Sequence, residues 1–300
     1  DVMHKLFILD GAMGTMLQAA GMKAGEHPEV FGYDNADIVK DIHLKYIESG
    51  SNVIYTNTFG ANAHKLEGCK IDVDTAIATA IKSAKEAVAE SKEQVKVALD
   101  IGPIGELLEP LGVLRFEDAY EIYKEMVVAG EKYGADIIIF ETFTDLYDVR
   151  AGVLAAKENT NLPIWVTMTY ETTGRTFTGT KIESMAVTLE GLGVDAVGFN
   201  CSLGPKEILP LAKKLKEWTN LPIIIKPNAG LPNPSTGEYD LLASDFAKLM
   251  ADFGEIGIEY AGGCCGTSPE FISELKKEFE NRKFSEIKPA KAKTGICSGN

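Results

Sequence analysis

Eight short runs of apolar, largely β-branched residues recur along the chain: KLFILD (5–10), NVIYTN (52–57), VKVALD (95–100), ADIIIFE (135–141), PIWVTMTY (163–170), DAVGFNC (195–201), PIIIKPN (222–228) and IGIEYAGG (256–263). Each is too short for a helix and nearly continuous in apolar residues, the pattern of a strand buried on both faces. Between them apolar residues repeat every three or four positions, as in DTAIATAIKSAKEAVAE (74–90) and EDAYEIYKEMVVAGEKY (117–133), which predicts amphipathic helices. Open sheets usually stop at five or six strands, whereas eight doubly buried parallel strands, each followed by a helix, close on themselves. The predicted fold is therefore α/β, a parallel eight-stranded (β/α)8 TIM barrel, with a doubly wound open sheet as the alternative.

The pattern places the barrel at residues 1–284. Residues 285–300, ending in KPAKAKTGICSGN, are polar and without sustained periodicity, and read as a linker toward a further module. In such barrels the chemistry sits at the C-terminal ends of the strands. The runs deliver Asp10, Asn57, Asp100, Glu141, Tyr170, Asn200 with Cys201, Asn228 and, after the eighth, Cys264 with Cys265. A polar or metal-binding side chain thus reaches the same rim from every strand.

Composition narrows the partners. With 30 basic against 44 acidic residues the net charge is −14, which repels a phosphate backbone, so neither nucleic acid nor an anionic membrane is expected as partner. No apolar run approaches the roughly 20 residues that span a bilayer, and DVMHKLFILDG lacks the apolar stretch of a signal peptide. A cytoplasmic protein is expected. The five cysteines are odd in number and widely spaced, which argues against a disulfide framework and leaves reduced thiols or a metal site.

Cys201 and the Cys264/Cys265 pair are remote in sequence, yet the sixth and eighth strands of a barrel have only one strand between them. Three thiolates meeting there suit zinc, and three protein ligands leave the fourth position that a catalytic site keeps open. Neighbouring residues on a strand face opposite ways, so Cys264 and Cys265 share an ion only if the backbone leaves the β conformation. Gly262, Gly263 and Gly266 permit this. Ser268 as N-cap and Pro269 behind it then start a helix whose positive end favours thiolate. Three other readings stay open: small buried hydrophobes, a strained vicinal disulfide, or glycine-rich turns (KPNAG, AGGCCG) cradling a phosphate. The histidines His4, His27, His43 and His64 lie outside the strand ends and are expected on the surface or in loops.

Taken in order, LDGAMGT, TNTFGAN, DIGPIGE, FETFTD, GFNCSLGP, KPNAG and GGCCGTSPE resemble the homocysteine-binding barrel of the homocysteine S-methyltransferase family over roughly residues 5–282. GFNCS paired with GGCCGT is the specific part of that match. Within the family the chain is most similar to the cobalamin-dependent branch, in which this module opens a longer polypeptide; FETF with KPNAG and the tail TGICSGN carry that likeness.

The resemblance implies Cys201, Cys264 and Cys265 as zinc ligands, with Asp10 and Glu141 at the ammonium group of homocysteine. Backbone amides near Gly11, Ala12 or Thr58 are candidates for its carboxylate, and Asn228 or water for the fourth zinc position without substrate. Asp100 and Asn57 are better read as structural. The implied reaction is methyl transfer to the zinc-bound thiol, giving methionine. Methylcobalamin and methyltetrahydrofolate belong to other modules of the same polypeptide. DIHLKY (41–46) starts like a cobalamin-binding pattern but has Tyr46 where glycine is required. The alternatives are a stand-alone homocysteine S-methyltransferase with a sulfonium or betaine donor, or a non-enzymatic barrel in which zinc only staples strands.

Overall fold

The computed structural model describes residues 5–284, 289–291, 293 and 295. Strands and helices alternate as expected: β1 (Phe7–Ile8), α1 (Gly14–Ala19), α2 (Pro28–Asp34), α3 (Ala36–Ser49), β2 (Val53–Tyr55), α4 (Val73–Ser91), β3 (Lys96–Ile101), α5 (Phe116–Tyr133) and β4 (Ile137–Phe143). The second half continues with α6 (Leu146–Asn159), β5 (Ile164–Met168), α7 (Ile182–Gly191), β6 (Ala196–Asn200), α8 (Pro205–Lys216), β7 (Ile223–Lys226), α9 (Ala243–Glu255), β8 (Tyr260–Ala261) and α10 (Pro269–Glu280). Six strands lie inside their apolar runs, β3 runs one residue and β4 two residues past the end of theirs, and α4 and α5 match the two periodic segments to within a residue at each end.

The strands form one parallel sheet in the order β1-β8-β7-β6-β5-β4-β3-β2, a (β/α)8 barrel closed on all sides but one by backbone ladders. At the β1/β2 seam three side chains and one backbone bond do this work. Asn52 Oδ1 accepts from Ile8 N at 2.8 Å, while Asn52 N donates to Ile8 O at 2.6 Å. Ser51 donates its hydroxyl to Leu9 O at 3.0 Å, and Tyr55 N donates to Asp10 Oδ2 at 2.8 Å.

Two apolar layers hold the fold. Residues at alternate strand positions, among them Leu9, Val53, Ala98, Ile137, Ile139, Trp165, Ala196 and Ile224, fill the barrel interior. The other strand face packs against the helices in a larger cluster that runs from Ile8 to Phe284. The period of two along each strand therefore makes both cores. Phe284, buried against Phe279 with ring centroids 5.7 Å apart, is the last residue of that cluster. Most of the expected linker at 285–300, including Cys297, lies outside the described residues.

His43 corrects an expectation. It is wholly buried, without a hydrogen-bond partner for either ring nitrogen, because it shares the inward stripe of α3 with Val39, Ile42, Tyr46 and Ile47. His27 and His64 are exposed, and His4 lies outside the described residues. Among the described residues, no helix is long and apolar enough to cross a membrane.

Candidate metal and substrate site

Cys201 follows the last residue of β6, where the chain turns through two successive left-handed residues, Cys201 (φ 62°) and Ser202 (φ 63°). Neither is glycine, so the turn holds strain of about 1–3 kcal/mol per residue. Hydrogen bonds pin it: Cys201 N donates to Lys226 O at 3.1 Å, and Leu203 N to Cys201 O at 2.7 Å.

Past β8 the chain departs from the sheet in steps. Gly262 N donates to Ile225 O, Gly263 N to Asp10 O and Cys264 N to Pro227 O, at 2.8–3.0 Å. The three glycines of this turn have different reasons. Gly266 is left-handed (φ 80°), whereas Gly262 and Gly263 are needed for space: a Cβ would stand 2.6 Å from Asp10 O at the first and 2.5 Å from the Thr267 side chain at the second. Ser268 occupies the N-cap of α10 and Pro269 follows, but the Ser268 side chain makes no capping hydrogen bond.

The result brings three free thiols together. Cys201 Sγ and Cys265 Sγ are 3.9 Å apart, and the sulfurs of Cys201, Cys264 and Cys265 all lie within 4.8 Å of one another. A tetrahedral ion with metal–sulfur bonds of about 2.3 Å sets its sulfurs roughly 3.8 Å apart, so the donor set fits such an ion. Crowding splits the thiols. Hydrogen bonds from Cys201 and Cys264 hold Cys265 down at about 3, against burial. Cys201, lowered by its bond to Cys264 but raised by Cys265 and burial, is pushed up to about 11. Cys264 rises well above the usual thiol range through its bonds to both neighbours and its burial. Crowding therefore favours ionisation at Cys265 over its two neighbours.

Asn228 lies beside the cluster. Its Oδ1 accepts from Cys265 N at 3.1 Å, and its Nδ2 donates to the Tyr239 hydroxyl at 3.3 Å. The Tyr239 ring lies against Gly266, the residue after Cys265.

A polar layer sits above the apolar interior, reached by continuing the inward alternation two residues along β3, β4, β5 and β7 to Asp100, Glu141, Thr167 and Lys226, and four along β6 to Asn200. Lys226 Nζ is 2.6 Å from Asp10 Oδ1 and 3.7 Å from the centre of the Tyr55 ring. Burial alone would lower Lys226, but Asp10 and Glu141 outweigh it and keep the ammonium charged. Asp100 and Glu141 face each other. Loss of hydration raises both, and Asp100 is raised further by the Glu141 charge, while Lys226 pulls Glu141 back down. Asn200 ties the layer to the cysteine turn: its Oδ1 accepts from Thr142 N and the Thr167 hydroxyl, each at 2.8 Å, and its Nδ2 donates to Thr142 Oγ1 at 2.8 Å. Thr142 is itself left-handed (φ 64°), at a register shift of β4 against β5.

Of the amides considered for a carboxylate, Ala12 N already donates to Thr267 Oγ1 at 3.2 Å and Thr58 N to Thr56 O at 2.9 Å. Gly11 is buried, with no room for a Cβ beside Thr267 Oγ1 and the Tyr46 hydroxyl. Asn57 donates to Pro28 O at 2.9 Å and Tyr170 donates its hydroxyl to Lys181 O at 3.1 Å, both holding loops. Lys226, Thr167 and Tyr239 were not singled out in the sequence. For the first two the signal was the inward alternation; for Tyr239, in a loop without periodicity, there was none.

Barrel, polar floor and thiol cluster together define a TIM-barrel enzyme with a thiol-lined centre at the C-terminal mouth. The profile described as Homocysteine S-methyltransferase matches residues 7–279, and the chain belongs to that family of methyltransferases. Methionine synthase of Mycobacterium tuberculosis (strain ATCC 25618 / H37Rv) is 31% identical over 302 residues, covering 94% of this chain and 25% of that protein. Methionine synthase of Mycobacterium leprae (strain TN) is 31% identical over 291 residues, covering 91% and 24%. The chain thus spans about a quarter of the length of the curated relatives it matches. Among solved structures, the oxidised form of the Escherichia coli homocysteine methyltransferase MmuM superposes with a TM-score of 0.79 at 22% identity, over 91% of this chain and 95% of that one. Its metallated form gives 0.74, also at 22% identity, over 91% and 96%. At that identity the likeness speaks to the fold. Family membership sets aside the reading of a non-enzymatic scaffold.

Proposed function

We propose that the chain binds homocysteine and activates its thiol for methyl transfer to give methionine, as the homocysteine module of a cobalamin-dependent methionine synthase. The observation that carries the reading is the convergence of three thiols beside a buried floor rich in carboxylates. Cys201, Cys264 and Cys265 would hold zinc. The ion supplies acidity to a bound thiol, so that the substrate sulfur is a thiolate at neutral pH. Asn228 is the candidate for a fourth ligand without substrate, its Oδ1 held beside the thiols by the bond from Cys265 N.

The floor suits an amino acid. Asp10, Asp100 and Glu141 face one fixed cation, Lys226, which leaves the layer short of positive charge. A substrate ammonium at Glu141 and Asp10 supplies it, and fixes the sulfur by a short tether. Gly11 is the candidate amide for the α-carboxylate, because Ala12 and Thr58 have committed theirs. Methyl transfer is then a direct displacement at the donor methyl by the oriented sulfur. The donor belongs to other parts of a longer polypeptide that carry methylcobalamin and methyltetrahydrofolate, in a cytoplasmic, thiol-reducing setting.

The experiment is a metal and thiol titration. Reduced protein should hold about one zinc per chain and release a proton when homocysteine binds. Cys265→Ser should lose the metal while keeping its helical circular dichroism. Full zinc retention in that variant refutes the ligand set, and turnover by this chain with S-methylmethionine or betaine alone refutes the cobalamin-dependent assignment.

A further inference from the structure

Both ends of an amino acid need partners, and the floor offers mainly one sign of charge. Asp10, Asp100 and Glu141 attract an ammonium and repel the carboxylate that arrives with it. Among the described residues of the layer, Lys226 alone carries the opposite sign. It is the last residue of β7, and its side chain is 4% exposed. A lysine ammonium has three N–H groups. One donates to Asp10 Oδ1 at 2.6 Å, and the ring of Tyr55, part of the apolar interior, closes off another side with its centre 3.7 Å from Nζ. No further acceptor meets Nζ among the described residues, so a deeply buried charged donor still has an N–H to give. Gly11 follows the aspartate that Lys226 holds, and Gly11 N donates to no acceptor among the described residues either.

We infer that Lys226 is a substrate-binding residue: its remaining N–H and its charge receive the α-carboxylate of the amino acid, with Gly11 N as the second donor. The inference rests on the homocysteine reading above and deepens it, because that reading gives the carboxylate an amide but no counter-charge. A bond from ammonium to carboxylate is charge-assisted and about twice as strong as a neutral one. The Tyr55 ring holds the cation from its other side by cation–π attraction, which keeps Nζ at one height in the barrel. Asp10 then serves both ends of the substrate, the ammonium directly and the carboxylate through Lys226. The arrangement selects for the α-amino acid: an aminothiol without the carboxylate finds the same acidic partners but leaves the Lys226 donor unanswered.

Calorimetric titration of the reduced, zinc-loaded chain with two thiols tests this: homocysteine, and 3-aminopropane-1-thiol, which is homocysteine without its carboxylate. Losing a hydrogen bond between charged groups corresponds to roughly ten- to a hundredfold in affinity, and Lys226→Met should weaken homocysteine by that factor. The aminothiol should bind the variant no more weakly than the parent, since it loses no contact and finds Asp10 less occupied. If the methionine variant does not fold, Lys226→Gln takes its place, because its amide still donates to Asp10; the same selective loss is expected. A purely structural role lowers both affinities alike. Equal weakening of the two thiols, or an unchanged affinity for homocysteine, overturns the inference alone, whereas a parent chain that binds no homocysteine overturns the homocysteine reading and this inference with it.

Discussion

Lys226 Nζ rests 2.6 Å from Asp10 Oδ1, both side chains almost wholly withdrawn from solvent, at 4% and 3% exposure. The second carboxylate oxygen of Asp10 accepts from Tyr55 N. The pair therefore joins β7 to the β1/β2 seam across the barrel. Removing one partner leaves the other buried and uncompensated, which costs about 3–5 kcal/mol. Lys226→Met should lose stability in that range in urea titrations. Adding Asp10→Asn should recover part of it, so that the double variant is less damaged than the sum of the two single ones. Additive losses would show the two groups to be independent.

Asn200 is the mechanical link between the floor and the cysteine turn. Replacing it with Ala leaves Thr142 N and the Thr167 hydroxyl without their acceptor, a cost of about 2–4 kcal/mol for two buried donors. Because Cys201 is the next residue, metal affinity should fall together with stability. Thermal melts and chelator competition on Asn200→Ala check both.

His43 predicts an acid-side loss. Burial lowers its pKa from 6.5 to about 4, so the folded chain resists a proton that the unfolded chain accepts. The contribution is neutral above pH 6.5 and becomes unfavourable as pH falls toward 4, by about 3 kcal/mol over the window. His43→Leu should remove that slope, and the variant minus parent stability, followed by urea titration from pH 7.5 to 4.5, should rise as pH falls.

Asp148 works in the opposite direction. Burial between α5 and α6 raises its pKa from 3.8 to about 7, although the Tyr123 hydroxyl donates to it at 2.7 Å. Folding therefore becomes less favourable as pH rises from 3.8 through 7, by up to about 4 kcal/mol. Asp148→Asn keeps an acceptor for Tyr123 and should gain stability at pH 8 but not at pH 4. The two groups partly cancel in the parent, so the single variants reveal pH slopes that the parent conceals.

The strand order was legible because doubly buried strands write themselves as unbroken apolar runs, and the three thiols because a barrel brings the sixth and eighth strand ends together whatever their separation in sequence. What stayed hidden had other causes. Lys226 sits inside PIIIKPN, where it passed as the polar end of a strand, although Ile224 faces the interior and two residues on means inward again. His43 was expected at the surface because it lies outside the strand ends, when its place on the Val39–Ile42–Tyr46 stripe was the stronger signal. Tyr239 reaches Asn228 and Gly266 through the path of an aperiodic loop, and local pattern holds no record of such a contact.

The seam between β1 and β2 gives the cylinder a hinge-like joint, fastened by Asn52, Ser51 and Asp10 instead of a ladder. Asp10 belongs to this joint and to the charged floor alike. A substrate held at its carboxylate, as proposed, is therefore expected to slow amide exchange at Tyr55, whose N–H donates to Asp10 Oδ2.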